Sequence, residues 1–152
     1  MLFNLKRRII SAMIPEKDAF VVSGLCGKRT LEGTIRVNGS KNAVLPLMAV
    51  SLLSRTPLKL DNMPMIEDVF RMNELLTDLG VVIEKKGNRL FSYDSRGVTK
   101  TVLDNDISKR FRASVILTGP LLARFGQVSF PHPGGCVIGE RPIDIFLYGF
   151  KK

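Results

Sequence analysis

Tryptophan is absent from this 152-residue chain, tyrosine occurs twice, and aromatic residues make up only 7% of it. So few aromatics suit an aliphatic interior better than an aromatic recognition surface, and no RNP-type motif, zinc-ligand spacing or helix-turn-helix pattern accompanies the basic residues, so no nucleic acid is expected as a partner. The single histidine, His132, precedes a proline and has no second histidine to share a metal, so a loop position is expected for it and no metal site is assigned. Two cysteines, Cys26 and Cys136, are too few for a disulfide framework and lack zinc spacing, which predicts a reducing, cytoplasmic setting. Long apolar runs are also missing. The leader from Met1 to Lys17 holds a short apolar stretch broken by Ser11 and ended by Pro15, without a cleavage signature, so it reads as a surface-lying extension with no stable membrane insertion, a transit peptide being the alternative. No low-complexity tract or Ser/Gly linker follows residue 19, so residues 1–18 are assigned as a basic N-terminal extension and 19–152 as continuous domain.

What is present suits an aliphatic α/β interior: 45% hydrophobic residues, 24% charged residues and a mean hydropathy of +0.12. The formal charge of +9 attracts oxyanions, though charge alone does not choose among nucleic acid, acidic membrane and phosphorylated metabolite. Part of the excess is terminal, in Lys6, Arg7 and Arg8 before any acid and in Lys151 and Lys152 at the end.

Phe20 to Ser23 and Thr34 to Val37 are rich in β-branched and aromatic residues beside glycine and read as strands. Lys41 to Ser54 carries apolar residues on nearly every side, predicting a helix buried all round, with Pro46 either in its first turn or kinking it. Leu58 to Leu60 reads as a strand. Ile66, Val69, Met72, Leu76 and Leu79 mark one face of an amphipathic helix starting near Pro64 and ended by Gly80. Val81 to Glu84 and Leu90 to Tyr93 flank a Gly87-Asn88 turn and predict a hairpin. A third helix is expected from about Ser108 to Ala123, a strand at Val128 to Phe130, and a last helix from about Ile143 that the chain end cuts short.

Three constellations could carry chemistry. In Asn38-Gly39-Ser40-Lys41-Asn42 a glycine turn leads into a helix start, where unpaired N–H groups and an ammonium favour an anion; the spacing is not that of a P-loop, and by residue type alone a solvated cap lysine is the plainer reading. In the stretch from Pro133 to Pro142, Gly134, Gly135 and Gly139 surround Cys136, and Arg141 nearby would favour its thiolate, whereas Cys26 has no such company. Arg112 lies in Lys109-Arg110-Phe111-Arg112, with Arg124 further on; such a cluster binds phosphate or is simply a solvated helix face.

With these residues in view the chain resembles the UDP-N-acetylglucosamine 1-carboxyvinyltransferases, and it is the N-terminal portion of them that it matches. The resemblance rests on Gly39-Ser40-Lys41-Asn42-Ala43 with Leu45-Pro46, on Arg112-Ala113-Ser114 followed by Gly119-Pro120-Leu121 and Ala123-Arg124-Phe125-Gly126, and on Pro133-Gly134-Gly135-Cys136 with Gly139 and Arg141-Pro142-Ile143-Asp144. It implies an α/β fold of repeated strand-helix-strand-helix-strand-strand units with helices packed inside sheets, an inside-out α/β barrel, incomplete here. It also implies transfer of the enolpyruvyl group of phosphoenolpyruvate to the 3-hydroxyl of UDP-N-acetylglucosamine in peptidoglycan precursor synthesis, with release of phosphate and no cofactor. Cys136 would be the catalytic loop acid and the target of the epoxide fosfomycin. Lys41 and Asn42 would contact both substrates, Arg112 would join the cationic site, and Arg141, Pro142, Ile143, Asp144 and Ile145 would bind the nucleotide. The chain departs from the family at Ser40, where alanine is common, and at Glu140, where a small residue is usual. The aspartate base and further arginines of the family's second domain are expected from a missing C-terminal half of the enzyme. The sister enzyme of the shikimate pathway and a non-catalytic nucleotide-binding piece are the competing expectations.

Overall fold

Residues 27, 30, 32–134 and 142–151 are described by a computed structural model of the protein. The chain divides into two units, Met1–Ile35 and Arg36–Lys152, and every regular element named below belongs to the second. The order is α1 (Lys41–Val50) running into a 3-10 turn at Ser51–Leu53, then β1 (Leu58–Leu60), α2 (Glu67–Asp78), β2 (Val82–Lys85) and β3 (Phe91–Asp94). After these come α3 (Asn105–Arg110), a 3-10 segment Arg112–Leu117 leading into α4 (Thr118–Phe125), and α5 (Asp144–Phe150).

The three strands form one antiparallel sheet in the order β1-β3-β2. Pairing of Tyr93 with Leu58 on one side and Ile83 on the other puts these three side chains on one face, because side chains along a strand alternate between faces. The hairpin is closed where the Lys86 N–H donates to the Leu90 carbonyl at 2.9 Å, around the Gly87-Asn88 pair that predicted it. Tyr93 is fully buried in the helix-lined core, where its hydroxyl donates to Oδ1 of Asn73 on α2 at 3.0 Å. Burial pushes this phenol well above its ordinary value. At the end of β3 the Arg96 guanidinium, and then the Arg96 N–H, hold the Asp94 carboxyl down at about 2. The folded value lies below the ordinary carboxylate value, so whatever this exposed pair contributes is present above that value and is lost as pH falls toward 2.

One core joins Val44, Leu45 and Met48 of α1 to Val69, Met72, Leu75 and Leu76 of α2, to Phe91 and Tyr93, and to Leu117 and Leu121. The spacing of the α2 residues is that of one helix face, as the sequence predicts. The helix stops at the expected glycine: Gly80 has φ +101°, its N–H donates to the Thr77 carbonyl at 2.9 Å, and the Val81 N–H reaches back to Leu76 at 2.9 Å. These paired bonds satisfy carbonyls that the helix end would otherwise leave open.

Several expectations are corrected. Residues 32–40 form no strand, because nothing among the described residues supplies a ladder for Thr34 to Val37. Phe20 to Ser23 lies outside the described residues. The α1 helix is not buried all round: Leu47, Val50 and Leu53 recur at helical spacing on the face away from the core and are 47%, 45% and 50% exposed. Pro46 sits in the second turn of α1, where it has no N–H to offer the Asn42 carbonyl. The α2 helix begins at Glu67, since Pro64 and Met65 form a turn in which the Ile66 N–H donates to the Pro64 carbonyl. Val128 to Phe130 makes a single parallel bridge, Val102 with Ser129, rather than a strand. The helix expected from Ser108 to Ala123 is broken in two places of geometry, with Phe111 extended at φ −152°, ψ 142° and a 3-10 segment following it.

Arg124 is structural. Its Nη1 donates to the Leu52 carbonyl at 2.8 Å and to the Ser95 hydroxyl at 3.2 Å, tying α4 to the end of the α1 segment and to the turn after β3. Its guanidinium also lies 4.9 Å from the centre of the Phe125 ring. Arg124→Ala is expected to lower stability by about 1–3 kcal/mol in urea unfolding, because the part-buried carbonyl loses its donor, and an unchanged midpoint would contradict the assignment.

Candidate functional site

Three segments distant in sequence meet at one open cleft of about 590 Å³. It is lined by Lys41, Asn42, Leu45 and Pro46 of α1, by Asp68 of α2, and by the run from Arg110 to Ala113 with Val115 and Ile116. Each segment enters at its beginning, for α1 starts at Lys41, α2 at Glu67 and the 3-10 segment at Arg112. None of the residues before them, Ser40, Ile66 and Phe111, gives a side-chain cap hydrogen bond. Ser40 offers only its backbone carbonyl, to the Ala43 and Val44 N–H groups at 3.2 and 3.0 Å. The start of the ten-residue α1 therefore presents N–H groups and the positive end of its dipole beside the Lys41 ammonium.

The approach to α1 is fixed by a close contact. A Cβ on Gly39 would fall inside the carbonyl oxygen of Asn62 and 3.3 Å from Pro64 Cδ. Asn62 holds a left-handed φ of 54°, its N–H donates to Oδ1 of Asp61 at 2.6 Å, and its Nδ2 reaches the Val37 carbonyl at 3.4 Å. Glycine at 39 is what lets the chain pass this turn before Lys41.

The opposite wall follows from the break at Phe111. That side chain is buried in the core, so the extended residue carrying it leaves Arg110 and Arg112 on either side, and both line the cleft. Across from them the Lys41 ammonium meets the Asp68 carboxylate at 2.5 Å, with the two side chains 50% and 29% exposed. Three cations against one carboxylate leave the lining with two surplus positive charges. Leu45, Pro46, Ala113, Val115 and Ile116 supply apolar surface next to them. Such a site suits a small oxyanion carrying an apolar portion.

The structure thus gathers Lys41, Asn42 and Arg112 and adds two residues that sequence reasoning did not assign. Arg110 stood in the sequence only as part of a basic run, and no sequence signal singled out Asp68. Pro142, Ile143, Asp144 and Ile145 are not in this lining. The Pro142 carbonyl accepts a long hydrogen bond from Nη2 of Arg112 at 3.5 Å, Ile143 is buried, Asp144 opens α5, and Ile145 is exposed. Cys136 and Arg141 lie outside the described residues. The segment before them is anchored beside the cleft wall, where the Gly134 N–H donates to the Ser108 carbonyl at 3.2 Å and the Gly134 Cα packs against the Lys109 carbonyl too closely for a Cβ. Among the described residues no group of three potential metal ligands occurs.

The sequence profile of the family described as EPSP synthase (3-phosphoshikimate 1-carboxyvinyltransferase) matches residues 25–152. UDP-N-acetylglucosamine 1-carboxyvinyltransferase from Cellvibrio japonicus is 39% identical over 134 residues, which are 88% of this chain and 31% of the relative. The enzymes of that name from Buchnera aphidicola and from Wolbachia pipientis are 42% and 43% identical, over 84% and 78% of this chain and 30% and 29% of their own lengths. The chain therefore spans about three tenths of the curated relatives it matches. Among solved structures, the enolpyruvyl transferase NikO from Streptomyces tendae superposes with a TM-score of 0.56 at 24% identity, over 63% of this chain and 22% of that one, which identifies the fold.

Gly39→Ala is expected to cost about 1–3 kcal/mol, because the Asn62 turn is backbone and cannot step aside as a flexible side chain would. Gly119→Ala, where an added Cβ meets nothing within 4 Å, is the matched control and should be neutral or slightly stabilising. Equal urea midpoints for the two variants would show that the Gly39 contact does not constrain the site.

Proposed function

Because the chain belongs to the family of EPSP synthase (3-phosphoshikimate 1-carboxyvinyltransferase), we propose that it forms the phosphate-holding part of an enolpyruvyl transferase whose acceptor is UDP-N-acetylglucosamine. The observation that carries this reading is the meeting of Lys41, Asn42 and Arg112 in one cationic cleft from positions far apart in sequence. The acceptor is favoured by relatives named UDP-N-acetylglucosamine 1-carboxyvinyltransferase. The description of the family itself favours 3-phosphoshikimate as the second reading.

In the proposed reaction Lys41, Arg110 and Arg112 hold the phosphate of phosphoenolpyruvate, and the apolar wall faces its vinyl carbons. Protonation of the methylene carbon makes the adjacent carbon electrophilic, and the sugar 3-hydroxyl attacks it, its proton passing to the base expected from the remaining part of the enzyme. Cys136 is the proposed proton donor, supplying that proton or trapping the cation. Departure of phosphate, with loss of a proton from the new methyl group, restores the enol ether. Arg141, Pro142, Ile143, Asp144 and Ile145 are proposed to hold the nucleotide. The product would feed peptidoglycan precursor synthesis in the cytoplasm. Turnover is proposed for the protein completed by the remaining part of such an enzyme.

Titration of the 152-residue chain with UDP-N-acetylglucosamine, followed by the amide signals of Asn42 and Ala113, is expected to saturate at a concentration roughly tenfold below that for shikimate 3-phosphate, with Lys41→Met and Arg112→Ala each weakening binding about tenfold. Equal response to both acceptors, or indifference to both substitutions, would overturn the reading. The chain alone should release no phosphate from phosphoenolpyruvate, and enzyme-like turnover by it would refute the need for a further part. In a completed enzyme fosfomycin should add once, at Cys136; mass spectrometry placing the adduct on Cys26 would remove Cys136 from the mechanism.

A further inference from the structure

Asp68 is the one carboxylate in the lining of a cleft otherwise built to attract anions, and it is spent on Lys41. The pair joins the first turns of two helices, Lys41 opening α1 and Asp68 one residue inside α2, which pack against each other through Val44, Leu45, Val69 and Met72 in the same core. A carboxylate in the first turn of α2 is stabilised by that helix's own dipole, so its place does not depend on the lysine. The ammonium is the mobile partner, on a four-carbon stem with three donors, and it is half exposed toward the cleft.

We propose that Asp68 is a positioning residue that fixes the Lys41 ammonium at the cleft wall and occupies it until an incoming oxyanion takes its place. Binding at the cleft is then an exchange of one anion for another on Lys41. Arg110 and Arg112, which make no ion pair among the described residues, hold the ligand from the other wall. Two consequences follow. A ligand must offer enough negative charge to displace a neighbouring carboxylate, which selects phosphate dianions over singly charged carboxylates. The affinity of the empty cleft is also lowered, because the internal carboxylate competes at an effective concentration no free anion matches. The proposal rests on the reading of the cleft as a phosphate site, and it assigns to Asp68 the setting of that site's selectivity.

The probe is inorganic phosphate, titrated into the 152-residue chain at fixed ionic strength with acetate as the singly charged comparison. In the unaltered chain the Lys41 15Nζ and Asp68 13Cγ signals should move together along one binding curve; movement of Lys41 with Asp68 still would overturn the exchange. Asp68→Asn should bind phosphate roughly tenfold tighter and acetate tighter by at least as much, so that the preference for the dianion shrinks. Asp68→Glu should return phosphate affinity to within about twofold of the unaltered chain. In a Lys41→Met background the Asp68→Asn gain should fall below about twofold, which a merely structural role for Asp68 would not produce. Unchanged or weaker phosphate binding by Asp68→Asn, or a full gain without Lys41, would refute the proposal. Success here with no response to UDP-N-acetylglucosamine would refute the acceptor assignment and leave the exchange standing.

Discussion

Phe111 is buried in the core on an extended residue between α3 and the 3-10 segment, and the second wall of the cleft is built around that break. A helix continued through this point would carry Arg110, Phe111 and Arg112 around its axis at about 100° per residue and spread the two guanidinium groups over different directions. At the extended residue the ring is buried, and Phe111 and both its arginine neighbours line the cleft together. Burial of one aromatic side chain, worth about 1.5–3 kcal/mol in transfer terms, thus holds the stretch that carries two cleft arginines. The same stretch accepts the chain returning from residue 134, through the Ser108 and Lys109 carbonyls.

The other wall is set by helix packing. Side chains of α1 and α2 meet in one core, and both helices begin beside the cleft, so the positive ends of two dipoles and the Lys41 ammonium occupy one region. Concentrated positive charge of this kind is unfavourable in an empty protein. Asp68 relieves it locally, while Arg124, a residue the sequence places near the same motifs, serves the far end of the α1 segment by donating to Leu52. Lys41 and Arg124 thus have opposite roles, one beside a helix start and one at a helix end, where a cation complements exposed carbonyls.

Elements with strong local signals were legible in the sequence. The α2 helix announced itself by an apolar face and a terminal glycine, and the hairpin by Gly87-Asn88, because these signals are properties of a few adjacent residues. The strand expected at Thr34 to Val37 and the unbroken third helix failed for a common reason: both depend on partners far along the chain, a ladder in one case and a core position for Phe111 in the other. The site divided in the same way. Lys41 and Asn42 stood out by their glycine turn and Arg112 by its motif, whereas Asp68 could not be picked out, since its meaning comes from a lysine 27 positions earlier that only the packing of α1 on α2 brings to it.

The α5 helix puts none of its seven residues in the interior, although Ile145, Phe146 and Phe150 are among them. A helix of that length gains too little from its own hydrogen bonds to offset the cost of nucleation, and packing is what ordinarily makes up the difference. Among the described residues next to it only the preceding Ile143 is buried, so the core lends its backbone bonds little support. Amide protons along it are therefore expected to exchange with solvent much faster than those of α2 and β3, whose residues lie in the core.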